Sequence, residues 1–344
     1  MNQPTHAWLA VEAYRKIVTL AQTEEGKKKK LDGLARLLGA NLGDVVVAAW
    51  LPDSLIKDMT YGHIFKNSVY KGNQSERFTL SKKDLLSQLA STTKTPKIAF
   101  DLIPNDWWAQ PYRVKENGGH LPARVNALCQ TARDMFKMGD ADVVELTGVK
   151  AKGSETIDPA FLSSPRDVAM ILWMASHYIA DAHMPFHCDN RALASTSKQG
   201  THGDIEDIWG DQVADLFHAK TILDQSPEVI LRTKPPTGSK FTKIDFGHEI
   251  AQLKNSGDPW KEAVYICRAS FATSFALVPP SIANVDDQKT GVCLEDILVT
   301  GKFCGEELFW KISQAIMADA ASAIAMFWQD VWLDFAGAKK RGGL

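Results

Sequence analysis

Polar and apolar positions along this chain repeat with helical rather than strand periodicity. In the first segment Glu12, Arg15, Lys16 and Thr19 form one polar stripe, and His6, Ala10, Ala13 and Ile17 fall on the opposite face. That three-to-four-residue repeat predicts an amphipathic helix. The same pattern predicts helices over roughly 31–42, 82–91, 122–138, 166–184, 203–219, 246–254, 258–275 and 305–334. Ser81 followed by Asp84 reads as a capping box with Asp in place of Glu. Short alternating β-branched runs separated by turn dipeptides are lacking, which argues against a sizeable sheet. The expectation is an all-α fold, one multi-helix domain over 1–344. Long irregular connections fall near 93–120, 148–165, 232–245 and 277–300, and no composition shift marks any of them as a domain linker. Loops of that length in a compact helical domain commonly wall or cover a site. Lys27 to Lys30 read as a solvated loop between the first two helices.

Composition narrows the class. With 45% apolar residues over 344 positions, the chain can bury a full core. Its 39 Lys and Arg nearly balance 41 Asp and Glu, so it lacks the basic excess that tracks a nucleic-acid backbone. Glu12, Arg15 and Lys16 interrupt any leader-like apolar run near the start. The most apolar stretch, Ile312 to Trp332, contains Asp319 and Asp330, so no transmembrane segment is expected. Cys129, Cys188, Cys267, Cys293 and Cys304 form no CxxC pair and are odd in number, which argues for a reducing cytoplasm. A secreted chain that had lost its leader would look the same.

The segment Leu172 to Asp207 carries the chemistry. Its helix, Val168 to Ala182, is apolar on every side apart from Ser176, His177 and Asp181, the pattern of a helix inside a bundle. An uncompensated carboxylate there costs several kcal/mol in practice. His177 and Asp181 stand four apart and project toward one point, where a cation would compensate the charge. Pro185 ends the helix, and His187 follows where the chain turns back. His202 and Glu206 repeat the four-residue spacing. Each alone has an ordinary reading, as a hydrogen-bonded core histidine or a surface pair. Jointly they describe a site for a borderline cation such as zinc. His183 and Cys188 read as structural.

This pattern, HxxxDxxxxxH followed by HxxxE, resembles the superfamily of zinc-dependent bacterial phospholipases C and fungal and plant single-strand-specific nucleases (3′-nucleotidases). The resemblance implies an all-helical hydrolase with three zinc ions. It also implies upstream ligands, and Met1, His6, Asp53 and His63 stand where they are needed. By that resemblance Asp53, His63, His177 and Asp181 would hold one zinc. Met1, His6 and a bridging Asp181 would hold the second, and His187, His202 and Glu206 the third. Asn2 is too large for routine removal of Met1. The α-amine of Met1, ordinarily near a pKa of about 8, would then be available to a metal. Glu206 and the gap before His202 are closer to the phospholipase branch. Ile64 stands where the nuclease branch has a base-stacking aromatic, with Phe65 next, and Ile56 where that branch has a basic residue, with Lys57 next.

The implied function is a metal-dependent hydrolase of phosphoric esters, a phosphodiesterase of phospholipase C type in which a hydroxide shared between paired ions attacks phosphorus. Asp53 would orient the nucleophile or take its proton, and Lys57 would supply charge to the phosphate. The substrate class is a small phosphate ester: a phospholipid head group, a nucleotide or another. Alternatives are a single-strand nuclease, 3′-nucleotidase or phosphatase of the same superfamily, and a non-catalytic metal-binding interaction protein. A di-iron oxidase would need further inward glutamates. No GxxxxGK(S/T), GxGxxG or GxSxG occurs. Trp107, Trp108, Tyr112 and His120 fit either a substrate wall or ordinary loop packing.

Overall fold

The computed structural model describes residues 1–71, 112–150, 158–191, 200–213, 226–246, 257–279, 282 and 292–337. In chain order its helices are α1 Gln3–Ala21, α2 Glu24–Lys28, α3 Leu31–Ala40, α4 Val45–Ala48, α5 Leu121–Lys137, α6 Ala141–Thr147 and α7 Pro165–Ala182. There follow α8 Pro185–Cys188, α9 Gly200–Val213, α10 Pro227–Arg232, α11 Pro259–Leu277, α12 Leu294–Leu298 and α13 Glu306–Phe335. The fold is all-α, as the periodicity predicts. The helix expected at 82–91, all but the first residue of that at 246–254, the Ser81 cap, Trp107 and Trp108 lie outside the described residues, as does 214–219.

The apolar faces meet in one core. α13 packs on α1, α5 and α7, while α5 also packs on α7 and α11. Trp8, Trp173, Trp209, Trp328 and Trp332 are fully buried in it. Three of their indole N–H groups find the acceptors that buried indoles favour. Trp328 donates to the Leu172 carbonyl (2.9 Å), Trp332 to the Lys29 carbonyl (3.0 Å) and Trp209 to Ser313 Oγ (2.9 Å). Truncating a Trp in such a core typically costs 3–5 kcal/mol, on the order of a third or more of a domain's net stability. The apolar run in α13 is therefore core. Among the described residues no single helix is long and apolar enough to cross a membrane.

Two features correct the sequence reading. Lys27 and Lys28 are not loop but the end of α2, where Thr23 Oγ accepts from Gly26 N (3.0 Å). Glu24 and Glu25 begin that helix and the lysines end it, the charge order that suits the helix dipole. The second is an antiparallel ribbon of β1 (Lys66–Lys71) and β2 (Tyr112–Gly118), with Val69 opposite Val114. β2 falls inside the stretch expected to be irregular. Beyond it the chain passes so close to the Ile64 carbonyl that a Cβ on Gly119 (φ +127°) would lie 2.1 Å from the oxygen. His120 N donates to the Tyr61 carbonyl (2.7 Å). The ribbon thus fastens the turn carrying His63 to the start of α5.

Candidate metal centre

α7 begins with a capping box, Ser164 with Asp167, and Pro165 at its first position. Three turns later it presents His177 and Asp181, both fully buried. The helix ends as Pro185 demands: Met184 is extended (ψ 111°), and α8 turns the chain back. His187 then lies with Nδ1 3.4 Å from Asp181 Oδ1 and Nε2 3.1 Å from Glu206 Oε1. α9 carries Glu206 and His202. His202 is exposed, its ring centroid 5.9 Å from that of His187.

The N-terminus reaches the same point. Asn2 caps α1, its Oδ1 accepting from Thr5 Oγ1 (2.9 Å). Its side chain lies directly against Gly210 of α9, where a Cβ would stand 1.7 Å from Asn2 Nδ2. That close approach lets the Met1 amine donate to Glu206 Oε1 (2.7 Å) and Asp181 Oδ1 (3.2 Å). One turn along α1, His6 stacks on His177 with ring centroids 3.9 Å apart, and its Nε2 is 3.6 Å from Asp181 Oδ1.

The opposite wall comes from the chain between α4 and β1. Asp53 opens the wide helical turn Pro52–Ile56, and His63 follows the tight turn Thr60–Gly62. His63 Nδ1 is 2.9 Å from Asp181 Oδ2 and 3.1 Å from His177 Nε2, while its Nε2 is 3.5 Å from Asp53 Oδ1. His177 donates from Nδ1 to the Ala49 carbonyl (2.8 Å). A carbonyl only accepts, so the proton sits on Nδ1 and the Nε2 lone pair faces the cluster, the orientation a metal-binding histidine needs.

The electrostatics are those of a charged knot withheld from water. Burial alone would raise the Asp181 carboxyl, but the Met1 amine, His177 and His187 hold it well below its ordinary 3.8. Glu206 behaves likewise: burial raises it, and the amine and His187 bring it down to about 2. Burial pulls the Met1 amine down, yet Glu206 and Asp181 together hold it up at about 10. Burial and the adjacent His177 keep His6 well below its ordinary 6.5. For His63, burial is outweighed by its bond to Asp181, and the ring is raised.

These residues fit a metal site. Both ring nitrogens of His6, Nε2 of His63 and Nδ1 of His187 are buried without a hydrogen-bond partner. Orphaned buried imidazole nitrogens are uncommon and call for an explanation. Two sets of ligand atoms lie within 4.8 Å of one another: His6, His177 and Asp181, and Asp53, His63 and His177. Buried His and Asp groups that could hold a metal ion are thus in place.

The structure therefore gathers Met1, His6, Asp53, His63, His177, Asp181, His187 and Glu206 around one centre, with His202 at its edge. Lys57 stands apart: it is exposed in a left-handed conformation (φ 50°), and no hydrogen bond or ion pair joins it to the cluster. His183 donates from Nδ1 to the Ile179 carbonyl (2.7 Å), with burial lowering it to about 4, and its Nε2 is buried without a hydrogen-bond partner. Cys188 is buried and lies 3.5 Å from the Ala182 carbonyl.

Sequence reasoning missed the supports. Asp58, five residues after Asp53, accepts from Tyr178 and Arg124. Lys66 donates to the carbonyls of Phe186 and Asp189 on either side of His187. A carboxylate in the same loop as two candidate ligands was the available signal for Asp58; Lys66 offered none. No protein-family model, curated protein or solved structure matches the chain.

Proposed function

We propose that this chain is a zinc-dependent hydrolase of phosphoric esters, a phosphodiesterase of the phospholipase C type that its ligand pattern resembles. The observation that carries the reading is the convergence on Asp181 of an amine and several imidazoles, four of whose buried ring nitrogens have no hydrogen-bond partner. A donor set of imidazole nitrogen and carboxylate oxygen suits zinc. Asp53, His63, His177 and Asp181 would hold one ion; Met1, His6 and the bridging Asp181 would hold a second; His187, His202 and Glu206 would hold the third. Zinc bound there supplies positive charge to phosphoryl oxygens and acidifies water near neutral pH.

The protein's own groups supply the rest. Asp53, with its side chain 34% exposed, is the carboxylate at the open edge of the cluster, placed to orient an attacking water and accept its proton. Asp181 and Glu206 keep the buried centre anionic, so it retains cations and then presents their charge to an anionic ester. Leu55, Ile56, Met59 and Tyr61 are exposed large apolar side chains in the loop between Asp53 and His63. They support a phospholipid head-group ester over a freely soluble one.

The test is zinc-loaded protein assayed on bis-p-nitrophenyl phosphate, mixed-micelle phosphatidylcholine, single-stranded DNA and 3′-nucleotides. The reading expects chelator-sensitive hydrolysis, strongest on the micelles. Full metal occupancy with no hydrolysis of any ester would contradict the enzyme and leave a metal-binding protein.

A further inference from the structure

We infer that Asp58 is a positioning residue that holds Asp53 and His63 in the register a shared metal requires; the inference rests on the metal centre proposed above. Asp58 lies between those two residues in the chain and touches each element that must be aligned. Its backbone N–H donates to the Pro52 carbonyl (2.9 Å), closing the turn that contains Asp53. Its Oδ1 accepts from Met59 N (2.9 Å) and from Arg124 of α5 (2.5 Å). Its Oδ2 accepts from the Tyr178 hydroxyl (2.7 Å). Gly62, immediately before His63, packs so tightly on this carboxylate that a Cβ there would stand 2.4 Å from Oδ2.

Tyr178 connects this carboxylate to the ligands. It follows His177 on α7, and its ring lies 5.1 Å from the His63 ring, tilted by 31°. The phenol therefore braces His63 with its face while its hydroxyl reaches past to Asp58. Without Asp58 the loop 52–63 would lose the side-chain bonds that tie it to Tyr178 of α7 and Arg124 of α5. An acceptor shared by α5, α7 and the loop fixes the ligand geometry before any ion arrives. Partners at this remove from a metal typically change its affinity by 10–100-fold.

The measurement is stepwise zinc occupancy against a competing chelator, read by mass spectrometry on the full-length chain, with cobalt absorption spectra as a second readout. Asp58→Asn and Tyr178→Phe should each weaken one ion by about 10–100-fold and alter one part of the cobalt spectrum, leaving the remaining ions unchanged. The double variant should be no worse than the weaker single one, because both break the same link. Gly62→Ala, which presses a methyl group against the carboxylate, should reproduce the loss. Tyr178→Phe keeps the ring and serves where Asp58→Asn folds poorly. Unchanged occupancy in folded variants, or an equal weakening of every ion alongside a lowered Tm, would overturn the positioning role. A wild-type chain that binds no zinc would instead overturn the metal centre itself.

Discussion

Asp181→Asn tests the electrostatic account where it is most exposed to error. The amide keeps the shape of the carboxylate but removes its charge from the centre of the cluster. Asp181 lies 3.2 Å from the Met1 amine, 2.9 Å from His63 Nδ1 and 3.3 Å from His177 Nε2. Removing one partner of such a buried pair costs about 3–5 kcal/mol. Over 344 residues, at ~2.1 cal/mol/K of unfolding entropy per residue, that is a fall in Tm of about 4–7 °C. The sign of the pH dependence is fixed by the direction of the shift. The folded carboxyl lies well below its ordinary 3.8. Its contribution is therefore complete above pH 3.8 and is lost as pH falls through the folded value, by about 1.4 kcal/mol per pH unit. Urea denaturation of chelated wild-type and variant protein at pH 5 and pH 3 should show the gap between them narrowing at the lower pH. Equal stability at pH 5, or a gap that does not change with pH, would refute the placement of a stabilised anion at the centre.

Other predictions follow from the same geometry. Asp53→Asn should lower turnover on bis-p-nitrophenyl phosphate roughly 10²–10⁴-fold, the usual contribution of a general base, with Tm held; unchanged turnover would remove Asp53 from the chemistry. The Met1 amine, held at about 10 against an ordinary 8.0, contributes stability that is complete below pH 8 and lost as pH rises through 10. Urea midpoints of chelated protein should fall across that window, and a flat profile would deny the amine its buried carboxylate partners. Lys66→Met removes donors from the Phe186 and Asp189 carbonyls that flank His187. Zinc affinity should drop about 10–100-fold in a chelator titration; an unaltered affinity would show that the α8 turn holds His187 unaided.

The legible part of the site is the part carried by local geometry. His177 and Asp181 share a helix, so their spacing states directly that they converge, and Pro185 states where His187 can turn back. Met1 and His6 could be placed only through family resemblance, because the amine meets its partners across separations of 180 and 205 residues. Nothing in Asn2 or Gly210 alone announces the close approach that makes this possible. The Asp58 link was hidden for a similar reason. It joins a loop to two helices, and Tyr178 reads as one more apolar residue of α7. The ribbon escaped notice because Lys66–Lys71 is mostly polar and its partner strand begins at Tyr112. Lys66 reads as a solvent-facing charge until the α8 carbonyls are seen around it. Long helices were legible throughout, since each needs only its own periodicity.

The central claim is that this cluster is a metal centre completed by the terminal amine. Its most direct test is metal content per chain by mass spectrometry, on protein whose free terminus is Met1 and on a version extended beyond it. The account predicts close to three zinc ions per chain, with at least one lost on extension. One ion or none, unaffected by extension, would contradict it.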